Sequence, residues 1–522
     1  MFFLGWIACW GSPCPSWFYW LSVPTLIFCL SWSLRHYQRS RALPPGPRGL
    51  PIIGNALQFP THMPWIKYGA WAKEFGPIFS LDLAGQTVVV LNTFKVASDL
   101  LDGRSNIYSD RPRLVMAGEI LAGGMSLLFA PYGPLWRKLR RAVHDGFGPH
   151  AVERYRPIHY REAALLVLRL LEKPDPHKWE NDLERAVTGG ILSALYGWPS
   201  IGDNEEALVK RLRAHAAKLA ASAMAGAHLV DIFPLMKHLP AWMAKWKRDG
   251  LAWHETETNL LKELNRDAKE QMSSRNSTDS FISVLTENAD KHALSEKEAA
   301  WLSEILLIGA SEPVTITLVN FVMAMELYPD VMHKAQNELD SVVGRERIPT
   351  FEDQEHLPYI QALIREVVRW RPAAPIGVPR RVTEDNWYNG YLIPKGSIIV
   401  VNACDPAIFP DFEEFRPERF LTDMPKDTHS MGHASFGFGR RLMHSICAGY
   451  NFAMQSLFIT IATMLWAVNI EKHTDADGNS ITPPRDAFTD TGMVMAPQQF
   501  HCKMKPRFSD AVSILRGNMV DG

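Results

Sequence analysis

Residues 436–453 decide the fold, and they read Phe-Gly-Phe-Gly-Arg-Arg-Leu-Met-His-Ser-Ile-Cys-Ala-Gly-Tyr-Asn-Phe-Ala. The cysteine of this stretch, Cys447, stands among three glycines and two arginines. Glycine lets a backbone pass close to a flat macrocycle, and arginine neutralises carboxylates and lowers the pKa of a nearby thiol. An isolated motif of this kind would be read as a structural cysteine in a turn. With the companion motifs below, it predicts a loop that presents Cys447 as a thiolate to haem iron.

The stretch resembles the haem-binding loop of the cytochrome P450 monooxygenases, whose pattern is Phe-x-x-Gly-x-Arg-x-Cys-x-Gly with an alanine four residues later. The matching residues are Phe436, Gly439, Arg441, Cys447, Gly449 and Ala453. The resemblance covers nearly the whole chain and implies the cytochrome P450 fold, a single large haem domain that is mainly α with small β-sheets. It also implies heme b as cofactor, Cys447 as the metal ligand, and Phe436, Arg441 and Gly449 beside the haem.

The two halves of this motif are out of phase. Counted from Phe436 the ligand position falls on Met443, whereas counted back from Gly449 it falls on Cys447, so residues 442–445 look inserted. Either Met443 or His444 ligates the iron as a neutral donor, or the extra residues loop outward, or the gene structure was assigned wrongly. We favour the outward loop with Cys447 as ligand, because the sequence from Cys447 onward resembles the start of the family's ligand-bearing helix.

Composition bounds the remaining possibilities. The chain has 522 residues, a formal net charge of −1 and no Gly/Ser-rich linker, which favours one large domain and gives no bias toward nucleic acid. Its six cysteines include no Cys-x-x-Cys pair, as expected in a reducing compartment.

The N-terminus predicts a membrane anchor. Residues 1–34 carry no charged side chain, and the first basic residues, Arg35, Arg39 and Arg41, follow the apolar run. A cleaved signal peptide would carry its positive charge before that run. The positive-inside rule therefore predicts a single-pass protein with a lumenal N-terminus and a cytosolic catalytic domain. The proline-rich stretch after the anchor resembles microsomal members of the family, which implies the endoplasmic reticulum membrane.

The predicted domain organisation follows from this anchor. A basic and proline-rich hinge at 35–58 comes next, since Leu43–Pro51 contains four prolines that stop a helix. The haem-thiolate catalytic domain is assigned to 59–510 and a C-terminal tail to 511–522. Within the domain, helices are expected near 152–173, 204–226, 254–273, 296–327 and 355–370, with strands near 78–91 and 391–401.

The helix at 296–327 is the best marked. Ser295-Glu-Lys-Glu298 forms a capping box, and the apolar run ends at Tyr328-Pro329, about 48 Å later at 1.5 Å per residue. A helix this long and apolar must cross the core. In the resembling family it lies over the oxygen-binding face of the haem.

The centre of that helix departs from the family pattern. The family has [Ala/Gly]-Gly-x-[Asp/Glu]-Thr-[Thr/Ser], and this chain has Gly309-Ala-Ser-Glu312-Pro313-Val314. Glu312 keeps the acid and is the predicted catalytic residue, but Pro313 replaces the threonine that positions water for proton delivery. Pro313 should leave the Gly309 carbonyl without its helix hydrogen bond and kink the helix. A kink with no catalytic role is the alternative explanation of this proline.

Two further motifs resemble the family. Glu366 and Arg369 share a helical face, and with Arg419 they resemble a buried Glu-Arg-Arg network, which we assign to fold stability. The segment Asn402–Pro406 is about four residues shorter than in the family, which is a second irregularity.

Cations are needed for the haem carboxylates. Trp136-Arg-Lys-Leu-Arg140 resembles the family's Trp-Arg-x-x-Arg helix, so Trp136 and Arg140 are assigned to a propionate, with Arg380 and Arg441 as further cations. The plain alternative is an exposed basic helix. The surplus charges Arg137, Lys138 and Arg141 suit docking of an acidic reductase.

The sequence therefore predicts a membrane-anchored haem-thiolate monooxygenase, similar to fungal enzymes of secondary metabolism. It would take electrons from NADPH-cytochrome reductase and oxidise an apolar small molecule, a terpenoid or aromatic polyketide. Substrate contacts are expected from 112–130, 306–317, 375–378 and 492–496. Loss of the helix hydroxyl leaves two alternatives, a haem-thiolate isomerase or dehydratase without reductase, and a degenerate haem protein without catalysis.

Overall fold

The computed structural model describes residues 42–199, 206–274, 279–402, 409, 411–421, 434–439, 447–475, 477–490 and 494–520. The predicted anchor at 1–34, the start of the hinge, Arg441 and the apparent insertion at 442–445 lie outside these residues. So does the irregularity after Asn402.

Helices dominate the described chain, as predicted. The α-helices are α1 Pro64–Phe75, α2 Phe94–Ala97, α3 Ser105–Tyr108, α4 Pro134–Phe147, α5 Arg156–Glu172, α6 Trp179–Tyr196, α7 Glu206–Ser222, α8 Leu229–Ile232, α9 Lys245–Ser274, α10 Phe281–Glu287, α11 Ala289–His292, α12 Glu296–Leu327, α13 Pro329–Val342, α14 Pro358–Trp370, α15 Tyr450–Ala467 and α16 Ala511–Val520. Short 3₁₀ turns occupy Ala151–Tyr155, Pro234–His238, Phe351–His356 and Pro417–Phe420, and π turns occupy Ser98–Asp102 and Val115–Leu121.

The strands are few and short. They are β1 Ile78–Leu83, β2 Gln86–Leu91, β3 Arg380–Arg381, β4 Asn386–Tyr388, β5 Tyr391–Ile393, β6 Ile398–Val401, β7 Val468–Lys472, β8 Phe488–Asp490, β9 Met495–Pro497 and β10 Cys502–Pro506. The largest sheet has the order β1-β2-β6-β3, and three two-stranded sheets pair β10 with β7, β4 with β5 and β8 with β9.

The β1–β2 hairpin turns on Ala84 and Gly85. Both have positive φ, 51° and 94°, which matches the twist of a two-residue hairpin turn. Leu83 then pairs with Gln86, and β2 continues in parallel register with β6. The predicted hinge lies along this sheet, because the Ser80 hydroxyl donates to the Pro44 carbonyl at 2.7 Å.

Helix α12 crosses the core as predicted. The Ser295 hydroxyl accepts a hydrogen bond from the Glu298 amide at 3.2 Å, and the Glu298 carboxylate accepts one from the Ser295 amide at 2.7 Å. The helix runs for 32 residues and continues through Pro313. It is long and apolar enough to span a membrane, yet 56% of its most apolar window is buried inside the protein.

The largest hydrophobic core surrounds the second half of α12. It joins α12 to α5, α6, α13, α14 and α15. Helix α16 belongs to it as well, since Ala511 and Leu515 are fully buried. The residues predicted as a C-terminal tail therefore include a helix packed on the core.

Candidate functional site

Cys447 lies at the N-terminus of α15. Its carbonyl accepts the Tyr450 amide at 2.9 Å, and the Gly449 carbonyl accepts the Ala453 amide at 2.8 Å, so the cysteine is fixed by the first turn of a buried helix. The thiol is free and accessible, although it lies deep among protein atoms. Desolvation raises its pKa, while the Gly449 N–H and the charge of Arg140 act in the opposite direction. Binding of a metal cation deprotonates such a thiol.

Helix α4 supplies the predicted tryptophan and arginine. Trp136 and Arg140 are one turn apart and only 4% and 8% exposed. This excludes the alternative of an exposed basic helix for these two positions. Nε of Arg140 has no hydrogen-bond partner among the described residues. Burial lowers the pKa of Arg140, and the nearby Cys447 opposes that effect.

Arg380 on β3 is the second buried cation. It is 7% exposed, its Nη2 donates to the Phe438 carbonyl, and its Nη1 has no hydrogen-bond partner in the described part of the chain. Desolvation lowers its pKa to about 10, against the charge of Asp102. Burying a guanidinium with an unpaired N–H is costly, so this arrangement calls for an acceptor from outside the described residues.

The loop before the cysteine is fixed by a close approach at Gly439. The Gly439 amide donates to Asp102 Oδ1 at 2.5 Å. A Cβ at Gly439 would lie 2.5 Å from the Leu101 carbonyl oxygen and 2.9 Å from Arg380 Nη1, and its φ is +81°. Only glycine fits here. Phe436 packs edge-on against Tyr450 at 4.9 Å, which joins the loop to α15.

The Glu-Arg-Arg network is present beneath this loop. Glu366 is fully buried and binds Arg369 at 2.6 Å and Arg419 at 3.1 Å. The Arg416 amide also donates to Glu366 at 2.6 Å, and Arg369 donates to the Phe412 carbonyl at 2.9 Å. Both arginines are thus held by the protein itself, which fits a structural role.

Glu312 lies in the middle of α12 and its side chain is accessible. Desolvation and the charge of Glu184 raise its pKa, so this carboxyl holds its proton more readily than an ordinary glutamate. Pro313 itself offers no donor. Two threonine hydroxyls that follow it on the helix bind helix carbonyls, with Thr317 donating to the Pro313 carbonyl at 2.8 Å and Thr315 to the Ser311 carbonyl at 2.9 Å.

The described residues fit a haem with carboxylate side chains. The structure provides an accessible thiol at the start of α15 and a buried arginine in the middle of α4 that is close enough to influence it. A second buried arginine with an unpaired N–H lies on β3, against the loop at Phe438 and Gly439. Sequence reasoning missed Asp102, which holds Gly439 and faces Arg380. No local motif marks it, because its partners lie more than 270 positions away in the chain.

A family model, Cytochrome P450, matches residues 44–503. The chain belongs to the cytochrome P450 family. Cytochrome P450 monooxygenase 58 of Postia placenta is 48% identical over 482 residues, covering 91% of this chain and 90% of the relative. A cytochrome P450 monooxygenase of Armillaria gallica is 39% identical over 504 residues, covering 94% and 95%. The protein is therefore an oxidoreductase of the P450 monooxygenase type.

A solved structure agrees on the fold. A zebra fish cytochrome P450, determined with abiraterone, aligns with a TM-score of 0.68 at 22% identity, covering 85% of this chain and 100% of that chain. The mainly α architecture with small sheets is confirmed by this likeness.

Proposed function

We propose that this P450 inserts one oxygen atom from O₂ into an apolar small molecule, with electrons from NADPH delivered by a cytochrome reductase. The observation that carries the proposal is the accessible Cys447 thiol at the head of α15, with the buried Arg140 beside it. When bound, a haem with a cysteine thiolate ligand supplies the chemistry of O–O bond cleavage.

The protein's own residues hold and orient the cofactor. Cys447 supplies the iron ligand, and the first turn of α15 keeps its backbone in place. Arg140 and Arg380 offer buried N–H groups to the haem carboxylates, with Trp136 on the same face as Arg140. Arg441 is proposed as a further cation from sequence alone.

Glu312 is proposed as the group that passes protons to the reaction. Its raised pKa favours a protonated acid that can donate. Since Pro313 lacks a hydroxyl, we expect inefficient proton delivery and some loss of electrons as peroxide.

An apolar substrate is supported by the segment Val115–Leu121, which contributes Val115, Met116, Ile120 and Leu121 to the second hydrophobic core together with Leu306 and Leu307 of α12. These side chains are aliphatic or thioether, which suits a terpenoid or an aromatic polyketide. The family resemblance adds a role in secondary metabolism.

Membrane contact is supported beyond the predicted anchor. Between α8 and α9 the large apolar side chains Phe233, Leu235, Trp242 and Met243 are 60%, 83%, 77% and 60% exposed. Apolar groups exposed so densely favour contact with lipid. We propose the endoplasmic reticulum membrane, with the catalytic domain cytosolic.

Reductase docking rests on the basic face of α4. Arg137 and Arg141 are exposed and available for an acidic partner. Lys138 is not, because it binds Glu298 at 2.8 Å and ties α4 to the start of α12. The proposed docking charges are therefore Arg137 and Arg141.

The decisive experiment is to measure NADPH, peroxide and product together on haem-loaded protein with reductase. Glu312→Gln should lower turnover while leaving substrate binding largely intact, and Pro313→Thr should raise the product formed per NADPH. High coupling that neither substitution changes would contradict the role of Glu312. Turnover without NADPH or reductase would instead identify a haem-thiolate isomerase or dehydratase, the alternative that Pro313 favours.

A further inference from the structure

A histidine lies buried between two carboxylates, away from the residues described above. His215 of α7 contacts Glu257 of α9 through Nδ1 at 3.0 Å and Glu304 of α12 through Nε2 at 2.7 Å. The three residues are 4%, 8% and 1% exposed. One side chain thus bridges three helices.

Only the imidazolium form can satisfy both carboxylates. A neutral imidazole has one N–H and one lone pair, so one carboxylate would face a lone pair. Burial by itself lowers the pKa of His215, but the hydrogen bonds and charges of Glu257 and Glu304 outweigh it and raise the pKa to about 9. His215 is therefore a cation throughout the neutral range.

The surrounding charges are accounted for on each packed helix. On α7, Arg211 lies 3.5 Å from Glu257, and Lys218 lies over the Trp253 ring. Tyr196 of α6 is close enough to Glu304 for that charge to raise its pKa further. His254 of α9 stacks on Trp301. With His215 charged, the carboxylates of Glu257 and Glu304 face two cations, His215 and Arg211.

Helix α7 is held by a narrow buried stripe and by ionic contacts. Among its described side chains only Leu212, His215, Leu219 and Ser222 are buried, and they form one stripe at helical spacing. His215 occupies the middle of that stripe, where an apolar residue would be usual. A second ionic contact, from Arg213 to Glu184 of α6, lies outside it. Leu212 and Leu219 bury α7 in the second hydrophobic core, and the ionic contacts add to that packing.

The bridged helices border the proposed substrate region. His254 Nδ1 contacts the Leu121 carbonyl at 2.8 Å, so α9 supports the segment Val115–Leu121. Glu304 precedes Glu312 by eight residues, about 12 Å along the same helix. His215 therefore connects α9, which supports the proposed substrate segment Val115–Leu121, to α12, which carries the proposed proton donor Glu312.

We infer that His215 is a positioning residue, a charged clamp that holds α7 and α9 against α12 and thereby limits ligand access to the site. The access part rests on the proposed function, whereas the clamp itself does not. While the imidazolium persists the helices stay attached, and its deprotonation at alkaline pH releases one of the two carboxylates.

Hydrogen exchange on the resting full-length holoprotein tests the clamp. Glu304→Gln keeps the shape of the side chain and removes its charge, and His215→Gln removes the cation. Both should lower amide protection in residues 210–222 by about tenfold or more at pH 7, while α15 stays unchanged. His150→Gln is the matched control, because the His150 side chain is fully exposed.

The pH dependence of hydrogen exchange in the natural protein is an independent test. After correction for intrinsic exchange rates, protection in 210–222 should fall about tenfold or more between pH 7 and pH 10 relative to α15, and Glu304→Gln should move this fall to lower pH. If His215→Gln does not fold, the pH profile of the natural protein and the amide protection of Glu304→Gln still test the clamp. Unchanged protection in Glu304→Gln, or a natural profile that follows α15 throughout, would overturn the clamp.

Ligand access is measured as the rate at which free imidazole binds to the ferric haem of the holoprotein. Its association rate should rise about threefold or more in Glu304→Gln at unchanged haem content, and an unchanged rate would overturn the access part. A protein that shows the clamp but no NADPH-dependent turnover would contradict the proposed function and leave the clamp standing.

Discussion

Two groups of buried arginines teach different lessons. Arg369 and Arg419 lie against Glu366, and backbone carbonyls complete their hydrogen bonding. Arg140 and Arg380 are just as deeply buried, yet each keeps an N–H without a partner among the described residues. The first group is complete within the protein, whereas the second requires an acceptor that the described residues do not supply.

The difference separates structure from function. A buried ion network that the chain satisfies contributes to folding, and removing one member leaves an uncompensated charge. A buried cation left unsatisfied destabilises the protein alone and becomes favourable when an anionic ligand arrives. Burial by itself does not distinguish the two, but hydrogen bonding does.

The largest effect should come from Cys447, the proposed iron ligand. Cys447→Ser should abolish the thiolate signature in the carbon monoxide difference spectrum of the reduced protein, together with turnover. Met443→Ala is the control and should preserve the spectrum. Retention in Cys447→Ser combined with loss in Met443→Ala would show that the out-of-phase motif uses the earlier position.

The complete network should respond through stability. Glu366→Gln should lower the free energy of unfolding by about 3–5 kcal/mol, because two buried guanidiniums lose their counter-charge. Glu418→Gln removes a half-exposed partner of Lys334 and should cost about 1 kcal/mol or less. Equal losses in denaturant titration of the two variants would break the comparison.

The incomplete pair should respond through haem retention. Arg140→Gln or Arg380→Gln should weaken haem binding by about 1.5–3 kcal/mol, the worth of a charged hydrogen bond, and Arg140→Gln should do so without lowering the stability of the haem-free protein. Haem transfer to an acceptor protein measures retention. Arg137→Gln, exposed on the same helix as Arg140, should leave it unchanged, and a loss of haem-free stability in the Arg140 variant would place Arg140 with the structural group.

Glu326 tests, at a position away from the proposed haem site, whether a buried ionisable group without hydrogen-bond partners destabilises the protein. Both of its carboxylate oxygens lack partners in the described chain, and desolvation raises its pKa to about 8. The folded protein then binds more protons than the unfolded one between about pH 4.5 and 8, so its contribution to stability falls as pH rises through that window. Glu326→Gln should remove this slope and raise the unfolding free energy at pH 8.5 by about 1–3 kcal/mol. An unchanged slope, as expected for the exposed control Glu287→Gln, would contradict the assignment.

Local signals made most of the fold predictable. The capping box at Ser295 fixed the start of α12 and the Tyr328-Pro329 pair fixed its end, because both act through neighbouring backbone groups. The expected strands near 78–91 and the expected helix near 355–370 correspond to β1, β2 and α14. Residues 511–522 were expected to form a tail, but the structure has helix α16 at Ala511–Val520. Its packing was not predictable from local sequence, because the burial of Ala511 and Leu515 depends on the distant helix α5.

The sequence by itself determined the α4 pair Trp136 and Arg140 and the Glu366–Arg369 pair, since each is completed within about one helical turn. Cys447 as the iron ligand stays a prediction from the family resemblance. Only the tertiary structure decided that Lys138 is tied to Glu298, that Asp102 holds Gly439 and that His215 is clamped between Glu257 and Glu304. Such contacts join residues separated by 42 to 337 positions. Their strength comes from burial and from the approach of distant helices, and neither is written in a local pattern.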